Sequence, residues 1–185
     1  MLKKILLTIF ILSSFAFASS EDTKQQAIAL YATGNYTEAY EKLSNLPSTE
    51  KDENIFLLMA NIAEHKGKDN IAIKHLNKAI DKNGTFYKAY YNLGCIFAKK
   101  SSYLLASENF EYAIKYNKTF APAYYNLACC QMKLKNYDAA KKNLIKALDI
   151  NPKNKDYLYN LILCYKELNQ TRQAKKLLET YNSIS

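Results

Sequence analysis

Glycine and proline are nearly missing from this chain, which has four of one and three of the other in 185 residues. So few breakers argue against a fold of many short strands and tight turns, and for one built of helices. Histidine is scarcer still. His65 and His75 stand apart in the sequence with no evident partner for metal binding or acid–base chemistry. No two cysteines have the CxxC spacing of a zinc site. A phosphate-cradling glycine loop, a Ser-His-Asp order and a paired carboxylate are also lacking. The sequence therefore gives no ground for catalysis, for a cofactor or for a metal. Past the N-terminus, no apolar run approaches the ~20 residues that span a bilayer.

What is present is hydrophobic and basic. Apolar residues make up 49%, tyrosine numbers 16, and 26 Lys and Arg face 17 Asp and Glu. The chain begins as an export signal does. Lys3 and Lys4 precede an apolar stretch from Ile5 to Phe17, and Ala16, Phe17 and Ala18 form a small-x-small cleavage pattern. The expected division is a signal peptide over 1–18 and a mature domain over 19–185, periplasmic or secreted. A basic balance often signals nucleic acid. An exported protein rarely meets any, so an acidic protein, peptide or envelope surface is the expected partner. The charge is uneven: residues 20–52 carry 3 Lys against 6 Asp and Glu, and residues 87–154 carry 11 Lys against 4.

The strongest pattern is internal repetition at 33 or 34 residues. The run YYNLACCQMKL near Tyr124 mirrors YYNLGCIFAKK near Tyr90 and LYNLILCYKEL near Leu158. The repeats fall at about 20–52, 53–86, 87–120, 121–154 and 155–185. Within the fourth, Tyr124, Leu127, Ala128 and Gln131 mark one helical face, and Ala140, Leu144, Ala147 and Leu148 mark a second. Short breaks separate the two helices of each unit, at Gly34-Asn35, Gly67-Lys68, Ser101-Ser102 and Lys135-Asn136. Each unit is a helical hairpin that buries its apolar face only by stacking on its neighbours.

These residues resemble the tetratricopeptide repeat family over essentially the whole mature chain. Position 20 is Ala39, Ala72, Ala106, Ala140 and Ala174, and position 24 is Leu43, Leu76, Phe110, Leu144 and Leu178. Position 8 is Ala27, Ala60, Gly94 and Ala128, broken by a bulky Ile162 that predicts looser packing of the last hairpin. Pro152 alone fills the position-32 proline site. The resemblance implies an all-α fold: a right-handed superhelical solenoid of about five antiparallel hairpins with first helices lining a concave groove. It also implies a non-catalytic adaptor, as used by secretion, pilus or flagellar systems of the envelope.

On that groove, position 5 carries Tyr91, Tyr125 and Tyr159, flanked by Lys88, Lys99, Lys133 and Lys166. An aromatic ladder beside lysines suits an extended acidic and apolar peptide. Asn92 and Asn126 join the partner-binding candidates, although asparagine at position 6 (with Asn160) is widespread in the family and structural. One variant of the family clamps a C-terminal carboxylate. Asn61 and Asn92 match its asparagines, but Leu57, Pro122 and Asn126 stand where its cations belong.

Cys95, Cys129, Cys130 and Cys164 are one repeat apart, adjacent, and one repeat apart. They are candidates for disulfides pairing Cys95 with Cys129 and Cys130 with Cys164, or for fillers of small helical slots. Asn83 and Asn169 sit in acidic-x-Asn-x-Thr patterns and are candidate glycosylation sites. The alternative to a groove-binding scaffold is self-assembly through the last repeat, whose Leu177, Leu178 and Ile184 have no capping helix after them.

Overall fold

The computed structural model describes residues 20–184; the expected export signal lies outside them. Among the described residues every long element is a helix. They are α1 (20–32), α2 (Tyr36–Asn45), α3 (Glu53–His65), α4 (Asp69–Lys82), α5 (Tyr87–Lys99), α6 (Tyr103–Tyr116), α7 (Ala121–Lys133), α8 (Tyr137–Ile150), α9 (Lys155–Glu167) and α10 (Thr171–Ser183). A 3-10 turn at Ser48–Glu50 follows α2. The chain divides into two compact units, the first ending at Asn83 and the second starting at Gly84.

One device closes every hairpin. The residue at position 15 has a positive φ: Gly34 (83°), Gly67 (68°), Ser101 (59°), Lys135 (60°) and Asn169 (58°). The next amide then bonds back five residues, as in Asn35 to Leu30, Lys68 to Ala63, Ser102 to Phe97, Asn136 to Gln131 and Gln170 to Tyr165, all at 2.8–2.9 Å. This is the Schellman arrangement, which satisfies the last carbonyls of the outgoing helix. The glycines were legible in the sequence. Ser101 and Lys135 adopt the same backbone at a steric cost.

In the second unit each hairpin stacks on the next. Ala106 and Phe110 of α6 pack on Leu127 and Cys130 of α7. Ala128, Ala140 and Leu144 pack on Leu161 and Cys164 of α9. Position 8 sets how closely a hairpin's two helices approach. A Cβ added at Gly94 would lie 2.6 Å from the Phe110 ring, so the smallest residue at position 8 accommodates the largest at position 24. Ile162 is buried, and its partner position, Leu178, is 44% exposed.

The loops between hairpins are held without the proline the repeat pattern calls for. The Tyr90 hydroxyl donates to the Gly84 carbonyl at 3.1 Å, and Tyr124 donates to Lys118 at 3.2 Å. Both acceptors occupy position 32. Where that position is Pro152, position 4 is Leu158. In the first unit, His75 of α4 is buried, 2.8 Å from the Tyr40 hydroxyl through Nε2 and stacked near Phe56. Burial, then Lys78, Lys74 and Lys51, push its pKa down to about 4.

Candidate functional site

The first helices α5, α7 and α9 of the second unit lie side by side, and one three-residue fastener joins each pair. Asn126 on α7 donates its amide to the Tyr91 hydroxyl at 3.1 Å and to the Cys95 sulfur at 3.7 Å, both on α5. One repeat later, Asn160 on α9 donates to the Tyr125 hydroxyl at 3.1 Å and the Cys129 sulfur at 3.5 Å, both on α7. The tyrosine hydroxyls in turn bond the thiols of their own helices. Burial is the main reason why the Tyr91 hydroxyl resists ionisation and why Tyr125 is pushed up to about 12.

The tyrosine ladder therefore has a graded character. Tyr91 is half-buried, with its ring 5.7 Å from Phe110 and 5.0 Å edge-on to Phe120. Tyr125 is half-buried and stacked on Tyr157 at 4.7 Å. Tyr159 is 53% exposed, with Tyr181 6.4 Å away. The asparagine at position 6, read from the family resemblance as structural, is here the bridge itself. Asn92 is half-buried.

All four cysteines are free thiols, so the pairings of Cys95 with Cys129 and of Cys130 with Cys164 are not formed. The thiols differ in their packing and hydrogen-bond partners. Cys95 and Cys129 accept the asparagine amides. Cys130 packs against α6, and Cys164 packs against α7 and α8. Burial pushes both Cys130 and Cys164 up to about 11. No group of His, Cys, Asp and Glu able to hold a metal occurs among the described residues.

Between the fastened helices two hollows open. The first, of about 350 Å³, lies between α5 and α7 and is lined by Cys95, Ala98, Tyr103, Phe110, Asn126 and Lys133, among others. The second, of about 370 Å³, lies between α7 and α9 and is lined by Cys129, Met132, Lys133, Tyr137, Asn160, Leu163 and Glu167. Cys129 and Lys133 border both. Lys133 is exposed and makes no ion pair among the described residues. Lys88, Lys99 and Lys166 are exposed. Sequence reasoning passed over Tyr103, Met132, Tyr137, Leu163 and Glu167. Leu163 was accessible to it, because it holds the same repeat position as Cys95 and Cys129. Tyr103 and Tyr137 come from second helices, whose approach to the hollows no single-helix pattern reveals.

A third depression, of about 440 Å³, runs over α9 between α8 and α10. Ile145, Leu148, Leu158 and Leu177 line it, together with Asp149 and Lys176. The candidate glycosylation sites differ. Asn83 spends its side-chain amide on Glu53 at 3.1 Å and is half-buried, whereas Asn169 is exposed in the last hairpin turn.

Two family models match the chain. The tetratricopeptide repeat protein 21 C-terminal ARM domain covers residues 23–153, and a tetratricopeptide repeat covers 132–184. No curated protein sequence matches it. Solved structures of similar fold include MamA of AMB-1, with a TM-score of 0.76, 15% identity, and 90% of this chain and 92% of that one covered. MamA from Desulfovibrio magneticus RS-1 gives a TM-score of 0.79 at 19% identity, covering 89% and 94%. Another MamA structure gives 0.77 at 22%, covering 84% and 91%. At such identities the likeness establishes the all-α solenoid fold and nothing further. With helical hairpins of this construction, and a family match that spans most of its length, the chain belongs to the tetratricopeptide repeat family, in the group of the tetratricopeptide repeat protein 21 C-terminal ARM domain.

Proposed function

We propose that the protein is a non-catalytic scaffold that holds a partner protein or peptide against the face formed by α5, α7 and α9. The observation that carries this reading is the pair of adjoining hollows sharing one wall and one unpaired cation, Lys133. Their linings mix apolar side chains with a few polar groups, as protein-recognition surfaces do. The basic charge of residues 87–154 favours an acidic partner. The export signal expected at residues 1–18 would put that partner in the cell envelope or outside the cell. A photo-crosslinking residue at position 133 or 163, compared with one at the exposed position 146 of α8, tests the reading in cells. Products specific to 133 and 163 support it. Products shared by all three positions, or none from 133 and 163, overturn it.

A second reading is association of copies through the last hairpin, where Tyr159 and Leu178 are left exposed. Light scattering over a wide concentration range checks it: a mass that rises with concentration supports it, and a monomer throughout ends it.

A further inference from the structure

Resting on the scaffold reading, we infer that the α5–α7–α9 face takes an extended peptide bearing two apolar side chains three residues apart, with an acidic residue between them.

The spacing comes from the helices. The two hollows lie on opposite sides of α7, with Cys129 and Lys133 bordering both. Their separation is therefore set by the packing distance of neighbouring helices, about 8–10 Å. A polyproline II chain advances about 9.3 Å in three residues and returns to the same face. Two residues of strand advance only about 6.7 Å. Side chains at i and i+3 thus reach both hollows from one extended peptide.

The chemistry comes from the walls. Ala98, Tyr103 and Phe110 border the first hollow, and Met132, Tyr137 and Leu163 border the second. Each suits an aliphatic side chain. Lys133 stands on the ridge between them and, with no carboxylate paired to it, meets whatever lies between the two anchors. An acid there gains a charge-assisted hydrogen bond. Glu167 lies in the second hollow and borders that one alone. It disfavours a second acid beyond the second anchor and favours a neutral or basic residue there. This gives the peptide a direction. The depression between α8 and α10 offers no comparable pattern, because Asp149 and Lys176 both border it and favour neither sign.

The probe is a fluorescein-labelled peptide with the core Leu-Glu-Pro-Leu-Lys between Gly-Ser flanks, read by anisotropy against the full mature chain. Binding should weaken by at least about tenfold when Glu is replaced by Gln, when one Gly is inserted between the leucines, or in Lys133→Ala. Leu163→Trp, which fills the second hollow, should weaken the probe and leave a peptide with Gly at the second anchor unchanged. Circular dichroism melts confirm that both variants fold. Equal binding of the spaced and unspaced peptides, or indifference to Lys133→Ala, overturns the inference. No binding of any probe, alongside a partner crosslinked at positions 133 and 163, overturns the peptide chemistry and leaves the scaffold reading standing. No binding together with no crosslink removes both.

Discussion

Gly94 and Phe110 show how far one residue's identity depends on another across a hairpin. In the second and fourth repeats the same positions are Ala60 with Leu76 and Ala128 with Leu144, all buried. Gly94→Ala gains about 1 kcal/mol in helix propensity. It also drives a Cβ into a ring that is 0% exposed. Overpacking of this kind costs about 1–3 kcal/mol, so the net expectation is a lower urea midpoint. Gly94→Ala combined with Phe110→Leu restores the pairing of the neighbouring repeats. A double mutant no more stable than the sum of its singles would show that the two sites are not coupled.

The asparagine fasteners belong to the same scale. Asn126→Ala leaves the Tyr91 hydroxyl and the Cys95 thiol without their shared donor. It should cost about 1–2 kcal/mol in chemical unfolding. Lys133→Ala, on the exposed ridge, should cost less than about 0.5 kcal/mol. That contrast separates what holds the surface together from what would contact a ligand.

At the scale of the element, the hairpin turns carry avoidable strain. Lys135 and Ser101 hold the left-handed backbone that Gly34 and Gly67 hold freely. Lys135→Gly should raise stability by about 0.5–1 kcal/mol, because relief of the Cβ clash exceeds the added freedom of the unfolded chain. A lowered melting temperature would refute this. Helix positions and hairpin breaks were readable from the 34-residue period, since each apolar face has to repeat once per stacked unit. The loop anchors were not readable. The sequence shows tyrosine at position 4 and a missing proline at position 32, but only the fold shows that the Tyr90 and Tyr124 hydroxyls reach those loop carbonyls.

At the scale of the whole molecule, acid and alkali should weaken different units. His75 titrates near 4 in the folded first unit, against an ordinary 6.5. The unfolded chain takes up the proton first, so stability falls as pH drops through 6.5 toward 4, by no more than about 3 kcal/mol. In the second unit, Cys130 and Cys164 sit near 11 against an ordinary 9.0. The unfolded chain loses those protons first, so stability there falls as pH rises through 9 toward 11. Hydrogen exchange should show faster opening of α3 and α4 at pH 5, and of α7 to α9 at pH 10. His75→Phe should flatten the acid limb alone. An unchanged acid limb in that variant would remove His75 as its cause.

The sequence by itself determined the helical class, the repeat period and the hairpin breaks. Those follow from local propensity and from a hydrophobic pattern that recurs with the chain. It also singled out α5, α7 and α9 as the candidate surface, through the position-5 tyrosines and their lysines. Tertiary structure decided which of those residues remain available. Tyr91 and Tyr125 turn into fasteners because asparagines 35 residues further along the chain meet their hydroxyls. Tyr159 meets no such asparagine among the described residues and stays open. Lys133 gains its position from lying on the one helix that walls both hollows. Such outcomes depend on what the next hairpin brings into contact, and a periodicity read along one helix carries no information about its neighbour.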